Sequence, residues 1–196
     1  MLIFVLFMTN VDFTAIDFET AHALFPCEIG MTRVENGILA ETKSWLIKPP
    51  CFPYMNPLCQ KVHGITSGDV SEAKTFEELW SELRHWLDGQ FVVAHNASFD
   101  MAVLRSALAY YDLAVPWIDY FCSIRLARKA WKGLPSYSLG RLCEYHGIEF
   151  HHHRAGDDSY ACALLTLKAL NTLGISSVEK LPAVADIVLK RLKSCV

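Results

Sequence analysis

The feature that most constrains the fold is a run of three strand-like segments near the start of the chain. Residues 11–18 are rich in β-branched and aromatic side chains, and residues 28–47 contain two further strand-like runs. Asn36-Gly37 separates those two runs, and this dipeptide favours a tight hairpin turn. The opening therefore predicts a three-stranded meander.

Downstream, helical and strand-like patterns alternate. Thr75 followed by Glu78 is typical of a capping box, and apolar residues then recur at helical spacing up to Gly89. Short apolar runs at residues 91–94 and 117–121 predict strands. Helices are predicted near residues 76–88, 98–111, 124–131, 139–146 and 157–172. Strands that begin in a hairpin and then alternate with helices indicate an α/β fold with a mixed sheet covered by helices.

The length of 196 residues suits one compact domain with a sizeable core. We expect a main domain over residues 1–175 and a tail over residues 176–196. The tail is a candidate amphipathic helix that carries Lys180, Lys190, Arg191 and Lys193. We expect it to pack on the main domain, and binding to a partner is the alternative.

Net charge argues against a protein that holds nucleic acid by a basic surface. The formal charge is -3, and the sequence pI is near 6.2. Affinity for a polyanion would then need another source, and divalent cations bound by acidic side chains are one.

Cysteine usage and the N-terminus bear on location. The seven cysteines are odd in number and contain no C-x-x-C pair, which favours a reducing compartment with free thiols. The apolar stretch from residue 1 to 8 has no basic leader and is too short to span a bilayer. We therefore predict a cytoplasmic protein without a membrane association, and Met8 is an alternative start to Met1.

Two carboxylates end the first strand. Side chains alternate along a strand, so Asp17 and Glu19 share one face with Phe13 and Ala15. Adjacent like charges at a strand end repel unless a proton or cation intervenes. Oxygen-only ligation would favour Mg²⁺ or Mn²⁺. Two solvated acids would explain the same pair, because this spacing is common.

Two further acids open predicted helices. Asp100 follows the apolar strand at residues 91–94 and lies in the first helical turn, where the helix dipole alone favours a carboxylate. His152 with Asp157 and His153 with Asp158 have the same spacing, so either pair could be the histidine and acid of a site. Small or apolar residues follow Asp158 at helical spacing, which predicts that Asp158 faces the interior and that His153 is its partner.

Three segments together resemble the motifs of the DEDDh exonucleases, the group that contains the proofreading epsilon subunit of bacterial DNA polymerase III. The segments are residues 13–21, which contain Asp17 and Glu19, residues 95–100, which end at Asp100, and residues 153–158, which run from His153 to Asp158. Their order and approximate spacing match, and Val62-His63-Gly64-Ile65-Thr66 lies where that family has a similar segment.

The resemblance implies a ribonuclease-H-like fold with a mixed five-stranded sheet flanked by helices. It also implies two divalent metal ions, Mg²⁺ or Mn²⁺, held by Asp17, Glu19, Asp100 and Asp158, with His153 as general base. The activity implied is hydrolysis from the 3′ end of single-stranded DNA, which releases nucleoside 5′-monophosphates in proofreading or repair. A DNA polymerase subunit is an implied partner.

The resemblance further implies that Thr20 and Ala21 contact the 3′ hydroxyl and that His63 or Ile65 touches the last base. A buried loop anchor is the alternative for Ile65, and a loop-stabilising hydrogen bond is the alternative for His63. His151 and His152 are expected in a solvated loop, and Phe18 and Phe99 in the core. Two other functions stay open, namely an RNA 3′ to 5′ exonuclease and a non-catalytic docking module of the same fold.

Overall fold

One mixed sheet organises the molecule, seen here in a computed structural model that describes residues 11–150 and 152–193. Its strand order is β3-β2-β1-β4-β5-β6. The first three strands form the predicted antiparallel meander, β4 and β5 run parallel to β1, and β6 is antiparallel at the edge. The strands are β1 (Phe13–His22), β2 (Phe25–Glu35), β3 (Ile38–Leu46), β4 (Phe91–Ala94), β5 (Asp119–Cys122) and β6 (Lys190–Arg191).

Helices cover both faces of this sheet. The sequence predicted five of them, and Thr75 closes the predicted capping box with Glu78. A further short helix follows the proline-rich loop, where the Asn56 side chain accepts a hydrogen bond from the Leu58 N–H. The helices are α1 (Pro57–His63), α2 (Phe76–Leu87), α3 (Ala97–Tyr110), α4 (Ser123–Ala130), α5 (Leu139–His146), α6 (Ala155–Thr172) and α7 (Leu181–Ala185).

The tail differs from the predicted helix, and the sheet has six strands where five were expected. After α6 the described chain forms a 3₁₀ turn (Val178–Lys180), the short α7 and the two-residue β6. Strand β6 is held at the edge because the Arg191 guanidinium donates two hydrogen bonds to Asp119, at 2.6 and 2.8 Å. Val178, Leu181 and Ile187 are buried in the same cluster as side chains of α6.

Side-chain alternation along β1 divides the core into two layers. Phe13 and Ala15 pack into the cluster shared with α4, α5 and α6. Ile16 and Phe18 pack on the other face, against α2 and α3. The predicted common face of Asp17 and Glu19 is therefore the face covered by α6.

The beginning of α6 lies unusually close to β2. A Cβ atom placed on Gly30 would lie 1.9 Å from the Ala155 carbonyl oxygen, so only glycine fits there. On either side of Gly30, β2 bonds to α6. The Glu28 carboxylate accepts the Ala155 N–H at 3.2 Å, and the Thr32 and Ser159 hydroxyls are 3.0 Å apart.

Within residues 11–150 and 152–193, no helix has the length and apolar character needed to cross a bilayer. Met1 and Met8, the two candidate starts, lie outside the described residues, as does His151.

We predict that Gly30→Ala destabilises the protein by roughly 1–3 kcal/mol or more, because an added methyl group must displace the backbone of α6. Urea denaturation followed by circular dichroism measures the change. Gly68→Ala is the matched control, since a Cβ there meets only the Thr66 hydroxyl at 3.5 Å. Equal midpoints for the two variants would show that α6 does not need this close approach.

Candidate active site

Three carboxylates converge between β1 and α6. Oxygen atoms of Asp17, Glu19 and Asp158 all lie within 4.8 Å of one another. Alternation along β1 supplies the first two, and the first turn of α6 supplies the third. Asp158 is only 3% exposed, whereas Asp157 beside it is intermediate in burial. The inward-facing residue is thus the one that the apolar stripe of this helix predicts.

Asp100 is a close neighbour of Asp17 and is almost fully buried. It belongs to the first turn of α3, which follows β4 after Asn96 adopts a left-handed backbone conformation. Its carboxylate accepts a hydrogen bond from the Phe18 N–H at 3.2 Å. Phe18 separates Asp17 from Glu19 in β1, so this bond fixes Asp100 to the strand that carries both acids.

Burial and the crowding of like charges raise the pKa values of these carboxyl groups. Burial, followed by the charges of Asp100 and Asp158, raises the pKa of Asp17 well above its ordinary value. Burial raises the pKa of Glu19 to about 7 and that of Asp100 to about 8. The pKa of Asp158 is also raised, chiefly by burial. Clustered oxygen ligands that resist ionising together are well suited to a hard divalent cation, so Asp17, Glu19 and Asp158 could hold one.

Two histidines flank Asp158, although the sequence predicted only His153 there. The His153 backbone N–H donates to one carboxylate oxygen, and His152 Nδ1 lies 2.9 Å from the other. The two rings stack with centroids 3.9 Å apart. No described residue forms a hydrogen bond with a ring nitrogen of His153, and desolvation lowers its pKa. His152 was expected in a solvated loop, and its contact with Asp158 was missed.

Glu28 was also missed as a site residue. It lies opposite Glu19 in the β1–β2 register and is 1% exposed. Besides accepting the Ala155 N–H, its carboxylate lies 3.4 Å from the Arg154 guanidinium. A lone acid inside the apolar run of β2 was the available sequence signal, because buried carboxylates need partners. Glu28 holds the start of α6 against the sheet, beside the acidic cluster of Asp17, Glu19, Asp100 and Asp158.

The four residues predicted to contact substrate meet at the end of β1. The Ile65 N–H donates to His63 Nδ1, so His63 Nε2 carries the proton and donates to the Thr20 carbonyl oxygen at 3.2 Å. Ile65 packs with Ala21 in a small buried cluster. The loop after α1 is thereby fixed to β1 directly beyond Glu19. Phe99 departs from its expected core position and is 40% exposed.

Comparison with known sequences relates residues 14–166 to a family described as Exonuclease. Exodeoxyribonuclease 10 of Escherichia coli K12 is 31% identical over 75% of this chain and 63% of that protein. DNA polymerase III subunit epsilon of Aquifex aeolicus is 28% identical over 84% of this chain and 79% of that subunit. PolC-type DNA polymerase III of Thermotoga petrophila is 30% identical over 91% of this chain. The chain spans only 14% of that polymerase's length.

Solved structures give the same grouping. Exonuclease X in complex with 5′ overhanging duplex DNA matches with a TM-score of 0.72 and 29% identity, over 89% of this chain and 98% of that chain. The nuclease domain of 3′hExo, a DEDDh family member bound to rAMP, matches with a TM-score of 0.72 and 16% identity. That match covers 94% of this chain and 98% of that domain. The predicted ribonuclease-H-like α/β fold is confirmed.

We predict that the metal-free protein loses stability as pH rises from about 4 to about 8. Carboxyl groups of the unfolded chain ionise near pH 4, whereas Glu19 and Asp100 hold protons in the folded state up to pH values of about 7 and 8. The folded state therefore binds more protons across this range, and raising the pH favours unfolding. Denaturation midpoints measured in EDTA at several pH values check this, and added Mn²⁺ should reverse the loss.

Asp100→Asn should flatten this dependence, because asparagine does not ionise. The exposed Glu41→Gln is the matched control and should retain the slope of the parent protein. A parent protein whose stability is constant between pH 5 and 8 would contradict the electrostatic account.

Proposed function

This chain belongs to the exonuclease family, and from that premise we propose that it hydrolyses single-stranded DNA from the 3′ end and releases nucleoside 5′-monophosphates. The convergence of Asp17, Glu19 and Asp158 is the observation that carries the proposal. A docking module would have no need to keep such mutually repelling groups together in a desolvated position. Their arrangement favours a catalytic protein.

Two divalent ions, Mg²⁺ or Mn²⁺, are the proposed cofactors. Asp17, Glu19, Asp100 and Asp158 would hold them, and the raised pKa values of these groups support this assignment. Bound ions would supply Lewis-acid stabilisation of the negative charge that develops on the phosphate. The hydrogen bond from the Phe18 N–H would hold the Asp100 carboxylate in one orientation toward the ions.

His153 is the proposed general base. Its pKa lies below the ordinary value, so at neutral pH the ring is mostly uncharged and can take a proton from the attacking water. Asp158 fixes the backbone of this residue, while the neighbouring His152 ring stacks on one side of it. His152 then serves as a positioning residue, since its own Nδ1 is occupied by Asp158.

Recognition of the strand end is proposed for Thr20, Ala21, His63 and Ile65. Asn56 donates its N–H to the Ala21 carbonyl oxygen at 2.8 Å, and the His63 ring holds the Thr20 carbonyl. These bonds fix α1 and the loops at its two ends to the end of β1 beyond Glu19, which would hold the four residues in place beside the acids.

The biological setting is proposed from relatives and composition. Relatives named as DNA polymerase III subunit epsilon and PolC-type polymerase support a role beside a DNA polymerase, in proofreading or repair. The six described cysteines are all free, which supports a cytoplasmic location.

A test uses 5′-labelled oligonucleotides in Mg²⁺ or Mn²⁺, with single-stranded, duplex and 3′-mismatched DNA and a matched RNA. We expect stepwise shortening of single-stranded DNA, no activity in EDTA, and no activity for Asp17→Asn. His153→Ala should lower kcat roughly 100-fold or more with the fold intact, as expected for loss of a general base. His152→Ala should have a smaller effect.

Glu41→Gln serves again as the exposed control and should match the parent enzyme. Internal cleavage, or a folded Asp17→Asn variant of full activity, would refute the proposal. Faster degradation of the RNA than of the DNA would assign the enzyme to RNA. A larger loss for His152→Ala than for His153→Ala would exchange their roles.

A further inference from the structure

A cavity lined by basic side chains opens beside the acidic cluster. Its volume is about 410 Å³, and its wall includes Arg105, Arg125, Arg128 and Lys190. Among the described residues that line it there is no Asp or Glu. These cations come from α3, α4 and β6, so distant parts of the sequence build one basic surface.

The cations of this cavity are not neutralised by the protein. Within the described residues, none of the four forms an ion pair, and Arg128 lies only over the Tyr137 ring at 5.6 Å. The neighbouring cations outside the cavity are paired, Arg191 with Asp119 and Lys129 with Asp186. The five other arginines each contact a carboxylate or an aromatic ring, namely Arg33, Arg84, Arg141, Arg154 and Arg191.

Sheet topology places the cavity next to the acidic cluster. Ile16, which precedes Asp17, pairs with Ala94, and Ala94 pairs with Cys122 in the cavity wall. Neighbouring strands lie about 4.8 Å apart, so two strand spacings give a separation of about 10 Å along the sheet edge. The cavity is therefore close enough for one polynucleotide strand to reach both sites.

The start of α3 contributes residues both to the cavity and to the acidic cluster. Asn96 and Ser98 line the cavity, while Asp100, two residues further on, belongs to the acidic cluster. Between them Phe99 is 40% exposed and free to meet a flat base. Unpaired cations next to an exposed aromatic ring are typical of surfaces that bind single-stranded nucleic acid.

We propose that the cavity of Arg105, Arg125, Arg128 and Lys190 binds backbone phosphates of the substrate strand on the 5′ side of the scissile bond. The inference rests on the proposed exonuclease function, since the acidic cluster would hold the 3′ end. Guanidinium groups suit phosphate oxygens because they donate several hydrogen bonds in a fixed geometry. The local basic surface would offset the overall negative charge of the chain.

The test compares two substrates of different reach in the double variant Arg125→Gln/Arg128→Gln. The p-nitrophenyl ester of thymidine 5′-monophosphate occupies only the acidic cluster, whereas a single-stranded DNA of about 20 nucleotides also reaches the cavity. We expect KM for the DNA to rise roughly tenfold, with kcat and ester hydrolysis within about twofold of the parent values. The slope of log KM against log salt should fall by about 1.4, or about 0.7 for each cation removed.

Arg84→Gln/Arg141→Gln is the matched control, because it removes two exposed arginines that do not line the cavity. An unchanged KM for DNA, or an equal loss of activity with both substrates, would overturn the proposal.

If the parent protein hydrolyses neither substrate, the exonuclease function fails. Fluorescence anisotropy with the same DNA, labelled and in EDTA, then tests DNA binding by the cavity alone. Weaker binding only in the Arg125/Arg128 variant supports it, and equal binding in both variants overturns it.

Discussion

The contact between the start of α6 and β2 is the constraint on which the rest of the site depends. Asp158 can reach Asp17 and Glu19 only if α6 approaches the sheet closely, and the missing side chain of Gly30 permits this approach. Glu28 then fixes the distance between the start of α6 and the sheet, because its carboxylate accepts the Ala155 N–H. One glycine and one buried acid in β2 thus position a residue more than a hundred positions later in the chain.

This close packing creates an electrostatic cost that the fold does not relieve by itself. Asp17, Glu19, Asp100 and Asp158 all have raised pKa values, and burial is the largest cause for each. Of these four acids, Asp100 and Asp158 accept hydrogen bonds from backbone N–H groups of the described residues, and Asp17 and Glu19 do not. Protons can compensate the cluster at low pH, but at neutral pH a bound cation would do so more completely. Stability and the proposed cation binding would therefore be coupled through the same four groups.

Sequence periodicity predicted the meander, the parallel strands and the five longer helices because each has a local signal. Asp158 was distinguished from Asp157 by its apolar stripe in the same way. The roles of Glu28 and Gly30 depend on which residues of α6 lie above them, and no local pattern in β2 contains that information. The tail was predicted as a helix, yet Arg191 pairs with Asp119 at a sheet edge whose position only the tertiary fold defines.

Net charge describes the chain as a whole and not where its charges lie. A value of -3 predicts no basic surface, so affinity for a polyanion would need another source, such as divalent cations bound by acidic side chains. The fold instead concentrates acids in one desolvated cluster and leaves three arginines and Lys190 uncompensated about two strands away. Arg105 and Lys190 lie far in sequence from Arg125 and Arg128, so only the short basic stretch at residues 125–132 marks part of this surface in the sequence. Separation of charge across the first turn of α3 would let an overall acidic chain guide an anionic strand along the proposed basic cavity to the proposed metal site.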